Sequence, residues 1–263
     1  MPQKTSLRPE ETLMFREASE AAGVVSAQIR ENADLLEMVG DKLRELKPSA
    51  VITCARGSSD HAATFAKYVI ETKLGLPVSS AAPSVSSVYA AKQMLKGTLF
   101  IAISQSGASP DLVRTAEAAK AGGAYVIALL NVVNSPLAAV ADDVVPLLAG
   151  PETSVAATKT YIATLAAILQ LVANWSGDDE LVSAMTSLPS NLQAAWSLDW
   201  GPAADALEGV RNFFVVGRGL GFGVAQEAAL KFKETCGLHA EAYSAAEVNT
   251  GQWQSSTGVF RFW

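Results

Sequence analysis

The sequence has few of the residues on which several large classes of protein depend. Only two cysteines and two histidines occur among 263 residues, which excludes a disulfide framework and disfavours a buried zinc site. No apolar run of about 18 residues is present, so we expect no membrane span. Charged residues make up 17% and the net charge is −6, which disfavours general binding to nucleic acid or anionic membranes. We therefore expect no metal, no other cofactor, no nucleic-acid partner and no membrane partner.

Apolar residues, in contrast, are abundant. They make up 49% of the chain, enough to bury a sizeable core. The first 17 residues contain no apolar stretch of the kind found in signal peptides, so a cytoplasmic location is expected. The length predicts one large domain, or one domain and a fraction of a second.

Short apolar runs alternate with helical patterns along the first two thirds of the chain. Helices are predicted over residues 1–48, and the spacing of Leu36, Val39 and Leu43 is typical of one helix face. Further on, strands are predicted at 50–55, 99–103, 124–130 and 143–148, and helices at 60–73, 110–121 and 157–174. Continuously apolar strands separated by helices indicate an α/β fold with a parallel sheet covered on both faces. Ligands of such folds bind beyond the carboxyl ends of the strands.

A second unit of the same kind begins after residue 200. A strand is predicted at 212–216, a glycine-rich turn at 217–221 and a helix at 224–235, repeating the order seen at 51–73. No further strand is predicted before the chain ends. The predicted organisation is therefore N-terminal helices (1–48), a first domain (49–198) and part of a second domain (205–263).

Two serine-rich turns fall between a predicted strand and a predicted helix. One contains Gly57, Ser58 and Ser59, and the other covers residues 104–109. Free backbone N–H groups and the helix dipole favour an anion at such positions. Because neither turn contains a lysine or P-loop spacing, a sugar phosphate suits them better than a nucleoside triphosphate. The alternative is that these serines only cap their helices.

The order of motifs along the chain resembles that of the sugar isomerase (SIS) family. The similarity extends from about residue 15 to residue 248. It is closest to the isomerase half of glucosamine-fructose-6-phosphate aminotransferases and to their relatives without a glutaminase domain. The resemblance implies a three-layer αβα, flavodoxin-like SIS domain followed by the start of a second. The motifs are RGSSDH (56–61), SQSG (104–107), ETSVAATK (152–159), GRG (217–219), EAALKFKE (227–234) and HAEAY (239–243).

The same resemblance implies roles for individual residues. Glu234 corresponds to the general base that moves a proton between C1 and C2 of the open-chain sugar, and Lys231 to the lysine that assists it. Without the resemblance, these two residues would be read as a solvated helix pair. Ala157 departs from the serine that the aminotransferases usually have. The implied binding residues are Ser58, Ser104, Ser106 and Ser109 for the phosphate, Ser59 and Gln105 for the sugar, and Val155 and Ala157 on a loop that closes over it.

The final segment, residues 249–263, departs from the family pattern. Thr250 stands where the family has a ring-opening histidine followed by Gly-Pro, and the closing lysine of the family is absent. One permitted back-translation of this segment encodes His-Gly-Pro in another reading frame, which leads to the hypothesis of a single-base deletion near codon 249. Under this hypothesis the chain is truncated, the second sheet keeps one strand, and turnover is impaired. Sequencing the gene tests it.

The resemblance predicts a phosphosugar aldose–ketose isomerase or deaminase acting on glucosamine 6-phosphate or fructose 6-phosphate. The deaminase direction is favoured because the sequence opens directly into the helices that precede the first SIS domain, with no glutaminase domain. The alternative is a phosphosugar-binding sensor without catalysis. Relatives in the family imply a homodimer.

Overall fold

The computed structural model describes residues 8–248 as a chain of alternating helices and strands after a short 3-10 turn. Its elements, in chain order, are α1 (Leu13–Ser19), α2 (Ala21–Glu31), α3 (Ala33–Leu46), β1 (Val51–Cys54), α4 (Ser58–Leu74), β2 (Val78–Ser80), α5 (Pro83–Ser87), β3 (Leu99–Ser104), α6 (Pro110–Ala121), β4 (Tyr125–Leu130), α7 (Pro136–Val140), β5 (Asp143–Pro146), α8 (Lys159–Ser176), α9 (Asp179–Trp196), α10 (Gly201–Ala206), β6 (Asn212–Gly217), α11 (Leu220–Cys236), β7 (His239–Ser244) and α12 (Ala245–Val248). The frame-shift hypothesis concerns residues 249–263, which lie outside the described residues.

Five strands form one parallel sheet in the order β2-β1-β3-β4-β5. Every neighbouring pair is parallel, and β3 and β4 pair over their full length, from Leu99 opposite Tyr125 to Ser104 opposite Leu130. This strand order is that of a flavodoxin-like fold. The predicted parallel α/β architecture is confirmed.

Helices cover both faces of this sheet. On one face, α3, α4 and α8 bury a cluster that includes Ile101 and Ile103 of β3. On the other face, α6 and α7 pack against Phe100 and Ala102 of the same strand. Because successive strand residues point to opposite faces, a strand between two helical layers must be apolar throughout. This is why residues 99–103 read as a continuous apolar run.

The second unit has two strands rather than the single strand predicted. β6 pairs in parallel with β7, from Asn212 opposite His239 to Gly217 opposite Ser244. The sequence of β7, His-Ala-Glu-Ala-Tyr-Ser, has few strongly strand-forming residues, and of its six residues only Ala240 is buried. The strand is defined by backbone pairing with β6, a contact that local sequence patterns do not report.

No helix among residues 8–248 is long and apolar enough to cross a membrane. The longest helices, α8 and α9, have 18 residues each. Helix α8 is apolar because it packs between the sheet and other helices: α2, α3 and α4 all contact it. Its apolar character therefore reflects burial inside the fold.

Candidate functional site

The carboxyl ends of β1 and β3 lie side by side where the strand order reverses. From β1 the chain crosses to β2 on one side, and the following strand, β3, pairs with β1 on the other side. Such a switch point leaves a crevice between the loops that follow the two strands. The turns at residues 55–57 and 105–109 follow these two neighbouring strands, so both serine-rich turns lie at the same edge of the sheet.

Gly57 makes the first turn possible. Its backbone lies at φ 55° and ψ −130°, a conformation that is strained for any residue with a Cβ. Helix α4 begins directly after it, at Ser58, and no described side chain caps this helix N-terminus. Ser58 and Ser59 are partly exposed in the first turn of the helix. Their placement therefore leaves the helix N-terminus available to an anion.

The second turn is held by its own hydroxyl groups. The buried Ser104 accepts a hydrogen bond at Oγ from the Gly107 amide at 3.1 Å, and Ser106 accepts one from the Ala108 amide at 3.3 Å. Ser109 occupies the N-cap position of α6, yet its side chain makes no cap hydrogen bond. Gln105 is partly exposed beside them. The capping alternative is therefore not observed at α4 or α6.

Helix α11 brings Lys231 and Glu234 to the first turn. The Lys231 ammonium donates to Ser58 Oγ at 3.2 Å and lies 2.8 Å from Glu234 Oε2. The approach is close because Gly223 faces α4: a Cβ at this position would lie 2.6 Å from the His61 carbonyl oxygen. The turns themselves lack a lysine, and the second unit supplies one.

Two further residues join this group although the sequence pattern did not single them out for the site. His61 Nδ1 lies 2.8 Å from Glu227 Oε2, and Glu227 Oε1 lies 3.0 Å from Lys231 Nζ. The sequence spacing could have identified Glu227, since it precedes Lys231 by four residues and therefore lies on the same face of the helix.

The charged groups of this site are stabilised by one another. Burial acts to raise the pKa of Glu227, but hydrogen bonds from His61 and Lys231 outweigh it and hold that pKa below its ordinary value. Burial raises the pKa of Asp60, an effect that His61 and Arg56 oppose. Opposite charges at short range favour ionised forms, whereas burial disfavours them. Glu227 is thus ionised at neutral pH.

Arg56 links the two turns from the side. Its guanidinium lies 2.6 Å from the Asp111 carboxylate in the first turn of α6. Both side chains are accessible to solvent, so the ion pair is worth little in stability. Arg56 thereby places a cation at the edge of the crevice. The sequence analysis did not identify Arg56 as a site residue.

The loop of residues 147–158 contains the other predicted sugar-contacting residues. Val155 is 91% exposed and Ala157 is partly exposed, while Ala156 between them is buried. The loop follows β5 and therefore leaves the same edge of the parallel sheet. The structure brings neither Val155 nor Ala157 into a described contact with the serine turns.

Two carboxylates hold the base of this loop. Glu17 of α1 is buried and accepts hydrogen bonds from the amides of Thr153 and Ser154 at 2.7 Å and 3.1 Å, and from their hydroxyls. Glu152 accepts from the amides of Thr158 and Lys159, at the start of α8. Helix α1 thus holds the loop that follows β5.

No group of three or more acidic, cysteine or histidine side chains suited to a metal ion occurs in the described part of the chain. Cys54 is buried in β1, where burial raises the pKa of its thiol to about 12. Cys54 therefore belongs to the core.

Known proteins resemble this chain in both sequence and fold. The sequence pattern of the SIS domain family matches residues 43–174 of this chain. A glutamine–fructose-6-phosphate aminotransferase (isomerizing) of Symbiobacterium thermophilum is 38% identical over 224 residues, which cover 80% of this chain and 36% of that protein. The chain thus spans little more than a third of the length of this curated relative.

Two solved structures have the same fold. The crystal structure of a candidate phosphosugar isomerase from Silicibacter pomeroyi DSS-3 superposes with a TM-score of 0.89 at 46% identity, covering 92% of this chain and 74% of that one. The C-terminal domain of glucosamine-fructose-6-phosphate aminotransferase from Francisella tularensis superposes with a TM-score of 0.75 at 26% identity, covering 94% and 74%.

Proposed function

Because the chain belongs to the SIS domain family, we propose that it binds a hexose or hexosamine 6-phosphate at the β1–β3 edge and catalyses proton transfer between its C1 and C2. Glucosamine 6-phosphate and fructose 6-phosphate are the substrates we favour, in the deaminating or isomerising direction. The observation that carries the proposal is the position of the Lys231 ammonium, 3.2 Å from Ser58 and 2.8 Å from Glu234.

The phosphate is assigned to the two serine turns. The uncapped N-termini of α4 and α6 provide backbone N–H groups and positive dipole ends for an anion. The hydroxyl groups assigned to it are those of Ser58, Ser104, Ser106 and Ser109. Ser59 and Gln105 are assigned to the sugar, with Val155 and Ala157 on the loop that covers it. An acidic chain is thereby able to bind an anion through neutral groups.

Proton transfer is assigned to Glu234. Its carboxylate removes a proton from one carbon of the open-chain sugar and returns it to the neighbouring carbon, and Lys231 stabilises the oxygen on which negative charge develops. The Glu234 side chain is 34% exposed at the crevice, so substrate has access to it. A carboxylate beside an ammonium is well suited to this enolisation.

Proton exchange in D₂O provides the decisive test. We expect calorimetric titration to detect binding of glucosamine 6-phosphate or fructose 6-phosphate, and NMR to detect incorporation of deuterium at C1 or C2. Glu234→Gln is expected to slow this incorporation roughly 10²–10⁴-fold, as for the loss of a general base, while binding is retained. Lys233→Gln, on the exposed side of the same helix, serves as the matched control.

The outcomes separate two functions. Binding without deuterium incorporation in the unaltered chain would favour a phosphosugar sensor. Absence of binding to glucosamine, galactosamine and fructose 6-phosphates alike would contradict the proposal as a whole.

A further inference from the structure

Three oxygen atoms surround the Lys231 ammonium. An ammonium group has three N–H donors. Lys231 donates hydrogen bonds to Ser58 Oγ at 3.2 Å and to Glu234 Oε2 at 2.8 Å, and it forms an ion pair with Glu227 Oε1 at 3.0 Å. A substrate oxygen that replaces Glu234 or Ser58 beside this ammonium leaves the ion pair with Glu227 in place.

The three partners differ in how firmly they are held. Glu227 is the most buried of the charged groups, with 7% of its side chain exposed, and its second oxygen is bound by His61 at 2.8 Å. Because Glu227 is ionised, His61 Nδ1 must carry the hydrogen of this bond. Glu234 has 34% of its side chain exposed, and Ser58 is partly exposed at the crevice. Glu227 is therefore the fixed partner, whereas Glu234 and Ser58 are the exchangeable ones.

We propose that Glu227, anchored by His61, is a positioning residue that holds Lys231 in place when substrate releases Glu234 to act as the base. This inference rests on the proposed function for its catalytic meaning, whereas the positioning itself is a property of the free protein. A flexible lysine stem does not hold one geometry unless it is tethered. Glu227 provides that tether from within α11, and His61 provides it from α4.

The groups that surround Glu227 are consistent with an anchoring role. Lys231 and Glu234 face it from α11, and His61 and Ser58 face it from α4. From α8, the buried Tyr161 donates a hydrogen bond to the Gly223 carbonyl, and burial together with the nearby Glu227 charge raises its pKa. Two groups contact the Glu227 carboxylate directly: the Lys231 ammonium at one oxygen and the His61 imidazole at the other.

Chemical labelling of Lys231 tests the positioning without reliance on activity. The full-length chain is treated with acetic anhydride at pH 8, and acetylation of Lys231 is measured by mass spectrometry relative to Lys233, which is exposed on the same helix. In Glu227→Gln we expect acetylation of Lys231 to rise roughly fivefold or more, because the carboxylate at 3.0 Å that holds the ammonium in place is lost. An unchanged ratio in a folded variant would overturn the proposal.

A matched pair of variants at His61 tests the anchor. His61→Ala leaves the Glu227 charge but removes its second contact, so we expect acetylation of Lys231 to rise about twofold. His61→Asn keeps a donor close to the place of Nδ1 and is expected to restore the ratio of the unaltered chain. If Glu227→Gln does not fold, this pair decides the question: equal ratios in the two variants would contradict the anchor.

Kinetics give a second readout. Where the unaltered chain shows turnover, we expect Glu227→Gln to lower kcat by about tenfold to 100-fold with KM changed less than about threefold, since misplacement of the lysine affects the reacting atoms more than phosphate binding. A loss of kcat/KM that arose only from a higher KM, with kcat unchanged, would contradict the positioning role. Absence of turnover in the unaltered chain would contradict the proposed function, while the labelling result would still decide the role of Glu227.

Discussion

Gly57 and Gly219 adopt the same unusual backbone conformation at equivalent places. Gly57 has φ 55° and ψ −130°, and Gly219 has φ 58° and ψ −130°. Each residue ends the turn between a strand and the helix that carries site residues. The repeated order of strand, Arg-Gly turn and helix seen in the sequence therefore reflects a repeated geometry, set at each turn by one residue without a Cβ.

Gly57→Ala is expected to destabilise the protein by about 1–3 kcal/mol, because an alanine is strained at this φ and ψ although nothing lies within 4 Å of the added Cβ. Urea unfolding followed by circular dichroism measures the change. Gly23→Ala is the control: Gly23 lies within α2, has no positive φ and equally open space, and alanine there should be neutral or stabilising by up to about 1 kcal/mol. Similar losses in both variants would contradict the assignment of strain to Gly57.

At the scale of elements, helix α1 stabilises the loop before α8 through a single carboxylate. Glu17 accepts four hydrogen bonds, two from Thr153 and two from Ser154. Although burial acts to raise it, these bonds hold the pKa of Glu17 at about 2. The loop that carries Val155 and Ala157 therefore depends on a residue about 136 positions earlier in the chain.

This contact predicts a defined pH dependence. Because the pKa of Glu17 is lower in the folded state than its ordinary value of 4.5, its stabilising contribution is present above about pH 4.5 and is lost as the pH falls toward 2. Glu17→Gln should therefore be less stable than the parent at pH 7 by about 1–3 kcal/mol. The difference should shrink as the pH falls below 4.5.

Urea unfolding at pH 7 and at pH 3 measures this difference. The control is Glu37→Gln, which changes an exposed glutamate on α3. We expect the control to change stability by less than about 0.5 kcal/mol at either pH, as is usual for surface positions. A Glu17→Gln difference that did not depend on pH would contradict the proposed contribution of the ionised carboxylate.

At the scale of the whole molecule, the crossing of α4 and α11 assembles the candidate site. Gly223 allows the crossing, since its Cα approaches the backbone of His61 and Phe65 too closely for a side chain. The hydrogen bond between Lys231 and Ser58 joins residues 173 positions apart. We propose that residues 49–198 and the unit from residue 205 onward are separate domains whose packing completes the site.

Gly223→Ala is expected to destabilise the protein by about 1–3 kcal/mol, because the new methyl group would lie 2.6 Å from the His61 carbonyl oxygen and 3.0 Å from the Phe65 nitrogen. The two helices must then separate, so acetylation of Lys231 should also increase. Gly221→Ala, two residues earlier with nothing within 4 Å, should change neither measurement appreciably. Equal behaviour of the two variants would show that the close crossing is not what holds the second unit.

Much of the fold was predictable because it depends on local patterns. The continuous apolar run at residues 99–103 and the proline at the start of α6 predicted a buried strand and the following helix, and α6 runs from Pro110 to Ala121 as expected. The order of motifs also predicted SIS family membership, which the match to the SIS domain confirms. In contrast, β7 was missed, because its residues carry no strong strand propensity.

The sequence by itself determined the alternation of strands and helices, the glycine conformations at the turns and the serines beside them, because periodicity and backbone strain act over a few neighbouring residues. Only the tertiary structure decided the strand order β2-β1-β3-β4-β5, the pairing of His61 with Glu227 and the arrival of Lys231 at Ser58. The strand order depends on pairing between separate segments of the chain, and the two side-chain contacts join residues 166 and 173 positions apart, where the fit of helix against helix sets the distances. Local patterns carry no information about that fit.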